Sequence, residues 1–131
     1  MKEHVLRLTK GADLKKSILK FVQDNSIEAG VILSSVGSLT QCVIRNAGAT
    51  EIIKLYGPLE IISLNGTISK NRIHLHISVA NSDLTVFGGH LQDDSLIDTT
   101  VELVILELLT YKFDKQYDFN TGYYELLPKK L

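Results

Sequence analysis

The sequence predicts an α+β fold, in which one compact domain of residues 1–131 has a mostly antiparallel β-sheet covered by one main helix. Segments with alternating or β-branched apolar residues recur along the chain. One segment carries a helix cap followed by an apolar stripe, and no linker, repeat or low-complexity stretch divides the 131 residues. A chain of this length is the size of a single domain with one core.

The main helix is predicted to begin at Asp13, because aspartate favours the N-cap position. Leu14, Ile18, Phe21 and Val22 follow at the spacing of a single helix face. This face is therefore expected to pack against the sheet.

Strands are predicted after the helix and once before it. Gly37-Ser38 and Gly57-Pro58 are expected to interrupt them, and Asn65-Gly66 to kink one. Residues 98–113 favour a strand by their β-branched content, while their leucines and glutamates leave a helix open for part of the segment. The other predicted strands are residues 4–9, 30–36, 39–47, 51–56, 59–68 and a short one within 117–127.

Three of the four histidines lie between residues 72 and 91. His74 and His76 occupy alternate positions of an apolar segment, so they lie on the same face of a strand. His90 follows a second apolar segment, and the short polar stretch between the two predicts a β-hairpin.

The register of this hairpin decides whether His90 joins the other two histidines. A loop of residues 81–84 places His90 opposite Leu75, pointing away from both. A loop of residues 81–83 places His90 opposite His74, on the same face as the other two histidines. A bulge at Gly88-Gly89 would also turn His90 to that face. The spacing leaves these alternatives open.

Three neutral imidazoles on rigid strands suit a borderline metal ion such as zinc, with a fourth position left for water or substrate. The sequence therefore predicts a zinc site with His74, His76 and His90 as ligands. The alternative is three separate histidines, each hydrogen-bonded at a half-buried surface.

Composition argues against several functional classes. A net charge of −1 is not the footprint of a strongly basic nucleic-acid binder. No apolar segment approaches the ~20 residues that span a membrane, and the N-terminus has no secretory signal. The single cysteine, Cys42, allows no intrachain disulfide, favours a cytoplasmic protein and is expected to be a small buried apolar residue.

An ordered set of motifs resembles the plants-and-prokaryotes-conserved (PPC) domain family over nearly the whole chain. The motifs are Arg7 with Gly11-Ala12-Asp13-Leu14, Ser35-Val36-Gly37-Ser38-Leu39, Gly57-Pro58-Leu59-Glu60-Ile61, Ser63-Leu64-Asn65-Gly66-Thr67, His74-Leu75-His76, Phe87-Gly88-Gly89-His90-Leu91 and Thr100-Val101-Glu102-Leu103.

The resemblance implies a compact α+β fold, a homotrimer and, as in some stand-alone prokaryotic members, a metal at the histidine cluster. Plant members join the domain to an AT-hook that binds AT-rich DNA. This sequence has no Arg-Gly-Arg-Pro hook, so at most weak DNA binding is expected. It also has Leu84 where the family often has glycine in the hairpin turn, which predicts a turn built differently.

Three further residues are candidates for a site. Glu60 and Glu102 lie in apolar strand contexts, where either can support a ligating imidazole or act as a general base. The alternative for both is an ion pair with an arginine. Arg7 occupies a family position and is a candidate for an ion pair or an anion.

The sequence thus leaves three functions open: a binding and regulatory module, a zinc-dependent hydrolase or lyase, and a small-ligand sensor at a subunit cleft.

Overall fold

A computed structural model describes all residues, 1–131, and contains eight strands and one helix. The elements are β1 (Lys2–Thr9), α1 (Leu14–Asp24), β2 (Gly30–Arg45), β3 (Ile52–Ser69), β4 (Arg72–Ala80), β5 (Val86–Leu91), β6 (Leu96–Glu107), β7 (Tyr111–Asp118) and β8 (Tyr123–Lys130). Six strands form an antiparallel sheet in the order β1-β6-β2-β3-β4-β5, and β7 and β8 form a separate hairpin. The predicted α+β class is confirmed.

Helix α1 begins as the sequence predicts. The Asp13 carboxylate accepts a hydrogen bond from the Lys16 N–H at 3.0 Å, and Leu14, Ile18 and Val22 are fully buried. They pack with inward-facing strand residues such as Leu103 and Ile105 in one apolar core. The helix thus closes one face of the sheet and leaves the other uncovered by helix. No helix of this chain combines the length and the apolar character needed to cross a membrane.

Strand β2 has two partners on one of its edges. Its first part pairs with β6, and at its end Ile44 and Arg45 pair with Leu91 and His90 of β5. Because β2 also pairs with β3, strands β2 to β5 form a closed ring. The ring brings the end of β2 beside the end of β5.

The predicted breaks at Gly37-Ser38 and Gly57-Pro58 are wrong, because β2 and β3 run through both without ending. A Cβ at Gly37 would lie 2.1 Å from the Thr100 carbonyl oxygen, and one at Gly57 would lie 2.6 Å from the Leu39 carbonyl oxygen. These glycines therefore permit close strand approach rather than a turn. The expected kink at Asn65-Gly66 is also displaced, since the register of β3 shifts between Ile61 and Ser63.

The 98–113 segment is not helical. It forms most of β6, turns after Glu107 and enters β7 at Tyr111. Val101, Leu103 and Ile105 are buried at alternate positions, so the period of two decides the structure.

Candidate metal centre

The hairpin of β4 and β5 has a register that neither loop considered from the sequence produces. Ala80 pairs with Val86 and His76 pairs with His90, so the loop comprises residues 81–85. Directly opposed residues of a hairpin share a face of the sheet. Because His90 lies opposite His76, it lies on the same face as His74 and His76. The shared face is one of the two alternatives that the spacing left open, and His90 lies opposite His76 and not opposite His74.

The turn is organised by Asn81. Its side-chain oxygen accepts hydrogen bonds from the N–H groups of Asp83 and Thr85, both at 3.0 Å. Leu84 adopts a φ of 65° in this turn with its side chain 84% exposed. Leu84 thus adopts the left-handed conformation that usually favours glycine, and the Asn81 hydrogen bonds stabilise the turn around it.

Gly88 and Gly89 do not form the bulge considered from the sequence, since β5 pairs with β4 in unbroken register across them. A Cβ at Gly89 would lie 2.6 Å from the Arg45 carbonyl oxygen. The glycine therefore lets β5 approach β2 closely, which places Arg45 directly opposite His90.

The three imidazoles form one cluster. Their ligand atoms lie within 4.8 Å of one another, and their ring centroids are 5.2, 5.1 and 5.5 Å apart. The intervening Leu75 and Ile77 point into the core, so the histidines lie on the outer face of the sheet. His74 and His90 are half-buried and His76 is exposed.

Two of the three imidazoles, His74 and His90, are held in the neutral form. Burial, followed by the positive charges of Arg45 and of the other histidines, lowers the pKa of His90 to about 4. Burial and then Arg72 lower the pKa of His74 as well. At neutral pH both imidazoles therefore keep an unprotonated nitrogen that can bind a metal ion.

A cavity of ≈310 Å³ opens onto the cluster. Its walls include Arg45 and Arg72 beside His74 and His90, and Tyr123 with Glu125 from β8. A second cavity of ≈470 Å³ reaches all three histidines from the side of the 46–49 loop. The cluster is accessible from both, as a ligand-binding centre must be.

The family model of the Plants and Prokaryotes Conserved (PCC) domain, the family abbreviated PPC above, matches residues 1–109. The chain belongs to this family. The remaining 22 residues, which include Tyr123 and Glu125, lie beyond the match.

The chain is also similar to a curated relative and to solved structures over nearly its whole length. The chain is 40% identical over 131 residues to a protein of Synechococcus sp. (strain JA-3-3Ab) named bifunctional protein GlmU, of which it spans only 21%. It resembles the structure of a hypothetical protein from Salmonella enterica, with a TM-score of 0.96, 36% identity and coverage of 98% of this chain and 94% of that one. It also resembles a metal-containing protein from Archaeoglobus fulgidus, with a TM-score of 0.81, 32% identity and coverage of 97% and 94%.

In this PCC domain the two predicted acids lie away from the histidines. Glu60 pairs in register with Ser38 and Ala80, and Glu102 pairs with Arg7, three strands from β4 in the sheet order. Neither lines the cavities at the cluster. Arg7 and Glu102 are directly opposed on β1 and β6, yet no ion pair within 4.0 Å joins them.

The acid that the structure does bring to the cluster is Glu125, which sequence reasoning missed. Its charge acts on His74, and it shares the smaller cavity with His74 and His90. Nothing in the sequence around Glu125 marks it, because β8 folds over the site from the far end of the chain. Arg72, by contrast, stands two residues before His74, a spacing that already predicts the same face.

The residues present fit a zinc-type ion. Three imidazole donors converge from two hydrogen-bonded strands, and borderline metals prefer such nitrogen ligands. Cys42 is not a further ligand, because it is fully buried on the core side and burial raises the pKa of its thiol to about 11.

Proposed function

We propose that the chain is a homotrimeric binding and regulatory module of the PCC family in which His74, His76 and His90 hold a zinc ion. The observation that carries the proposal is the convergence of three ligand nitrogens within 4.8 Å on one face of the β4–β5 hairpin. The likeness to a metal-containing protein of Archaeoglobus fulgidus supports a metal without identifying it.

Metal analysis of protein purified without a polyhistidine tag tests this proposal. The expected result is one zinc per chain, bound again after removal and titration. The His76→Ala variant should lose zinc, since two remaining imidazoles seldom hold it. His4→Ala is the matched control, because His4 is the one histidine outside the cluster and pairs with Glu107. Equal zinc content in both variants would contradict the proposal.

Exposed apolar side chains support the trimer. Val5 and Val36 are 76% and 60% exposed on the outer face of β1 and β2, where they flank the opposed Arg7 and Glu102. An exposed apolar face of this kind is typical of a subunit interface. Sedimentation equilibrium should give three times the 14.6 kDa of one chain. A concentration-independent monomer would remove the trimer.

DNA is proposed as a weak partner at most. The chain lacks the hook of plant relatives and carries a net charge of −1, so phosphate contacts are few. Binding to AT-rich duplex at physiological salt should be weak and non-selective in a fluorescence-anisotropy titration. A sub-micromolar affinity that distinguishes sequences would contradict this expectation.

A zinc-dependent hydrolase or lyase is the second candidate, and Glu125 is the observation that favours it. This carboxylate shares the smaller cavity with two of the histidines, so it is the acid available there to act as a general base or proton carrier. A bound zinc ion supplies Lewis acidity to such a site. In a screen of ester, phosphoester and carboxylic substrates, Glu125→Gln should abolish any turnover while zinc content stays at one per chain.

A further inference from the structure

Two of the three arginines of the chain line the cavity at the histidine cluster. Neither has a carboxylate within 4.0 Å, as every ion pair of the protein involves lysine or histidine. The Nε of Arg45 is fully buried and has no hydrogen-bond partner. A buried unsatisfied donor of a charged group is costly, which points to a missing acceptor.

Arg72 makes two side-chain contacts. One terminal nitrogen, Nη1, donates to the Thr67 hydroxyl at 3.0 Å, and the other, Nη2, lies 2.9 Å from Nδ1 of His74. Guanidinium has only donors, so Nδ1 of His74 must be the acceptor in this contact. In the neutral imidazole the proton then resides on Nε2.

This contact and metal binding exclude each other. A metal ion needs a free lone pair on His74. The lone pair of Nδ1 is engaged by Arg72, and Nε2 carries the proton. If the ion binds Nδ1, it displaces Arg72. If the ion binds Nε2, the proton moves to Nδ1. The Nδ1–H then faces the guanidinium N–H, and no hydrogen bond can form because both groups are donors. In both cases Nη2 of Arg72 is released while Thr67 can still hold Nη1.

We propose that Arg45 and Arg72 form a binding site for the oxyanion group of a small ligand, phosphate or carboxylate, and that metal loading completes the site by releasing Arg72 from His74. The inference rests on the proposed function, since it requires a metal at the histidine cluster. Guanidinium groups bind such anions through paired, charge-assisted hydrogen bonds. The ≈310 Å³ cavity has room for a small ligand.

The surroundings favour an anion on balance. Glu125 is the one acid among the residues lining this cavity, against two arginines, so their formal charges sum to +1 before any metal is added. The Tyr123 hydroxyl can donate a further hydrogen bond. A neighbouring cavity shares Arg72 and is lined by Lys15, Lys16 and one acid, Asp93, together with Lys70, which pairs with Glu28. Lys15 and Lys16 outnumber this acid and raise the positive potential on the approach.

Calorimetric titration of metal-free and zinc-loaded protein with inorganic phosphate, and separately with acetate, tests the site. Linkage predicts that the preferred anion binds zinc-loaded protein about tenfold more tightly than metal-free protein. In zinc-loaded protein, Arg45→Gln and Arg72→Gln should each lower the affinity for this anion about tenfold. Lys20→Gln is the matched control, because Lys20 is exposed on α1, pairs with Asp24 and does not line the cavity, so anion affinity should be unchanged.

Zinc titration without anion separates the two proposals. Arg72→Gln should bind zinc at least as tightly as the wild type, because the competing hydrogen bond to His74 is gone. Ring nitrogen shifts in NMR spectra of metal-free protein should show the proton of His74 on Nε2. Failure of zinc binding would overturn the proposed function and the coupling with it. Normal zinc binding with anion affinity unaffected by Arg45→Gln and Arg72→Gln would overturn the oxyanion site alone.

Discussion

His4 and the cluster of His74, His76 and His90 are the same residue type in opposite surroundings. His4 faces an acid, with its Nε2 2.7 Å from a carboxylate oxygen of Glu107 across β1 and β6. Its ring also packs edge-on against Phe21 of α1. The cluster instead lies on the opposite face of the sheet beside two arginines.

The difference shows that neighbours decide what an imidazole does. The Glu107 carboxylate accepts a hydrogen bond from the His4 ring, so this imidazole links strands β1 and β6. Burial, followed by the neighbouring arginines, lowers the pKa of His74 and His90, so these two rings keep lone pairs that a metal ion can use.

The contrast between His76→Ala and His4→Ala is the strongest test. The first should abolish zinc binding, and the second should leave one zinc per chain with a modest loss of stability. Metal analysis and thermal unfolding of the same samples measure both effects.

Gly66→Ala should damage the cluster through the backbone. A Cβ there would lie 1.9 Å from the carbonyl oxygen of His74, so β3 and β4 must separate. We expect a loss of about 3 kcal/mol or more in the free energy of unfolding, at the upper end for one substitution, together with weakened zinc binding.

Gly48→Ala is the control for this variant. Gly48 has a φ of 84°, but a Cβ there meets nothing within 4 Å. It should cost only about 1–2 kcal/mol, from backbone strain, and zinc binding should persist. Equal losses from the two glycine variants in urea unfolding would show that the close approach of β3 and β4 is not needed.

The stability of metal-free protein should fall on acidification. His90 has a pKa of about 4 in the folded protein, below its ordinary 6.5, so the unfolded chain binds more protons between these values. The free energy of unfolding should therefore decrease as pH falls from about 6.5 to about 4. His90→Asn should flatten this dependence in urea unfolding, whereas an unchanged slope would contradict the assignment.

Glu107→Gln should have the smallest effect. It weakens a largely buried hydrogen bond to His4, at an expected cost of about 1 kcal/mol. Zinc content should not change. Glu3→Gln, at an exposed position of the same β1–β6 pair, should change stability by less than about 0.5 kcal/mol in parallel unfolding curves.

Much of the local structure could be predicted from neighbouring residues. The cap at Asp13 and the apolar stripe of α1 depend on local spacing and have the expected form, although Phe21 of that stripe is only partly buried. The β-branched content of residues 98–113 indicated the strand that β6 forms as far as Glu107. The continuous courses of β2 and β3 could not be predicted, because the reasons for Gly37 and Gly57 lie on strands distant in sequence.

The sequence alone determined that His74 and His76 share a face, because side chains in a strand alternate with a period of two. Only the tertiary structure decided that His90 joins them. The five-residue turn set by Asn81 chose the register, and close packing at Gly89 brought Arg45 opposite His90. Glu125 and Tyr123 reach the same cavity by long-range folding of β8. Local spacing carries no information about such non-local pairings, which depend on loop closure and strand register across the whole sheet.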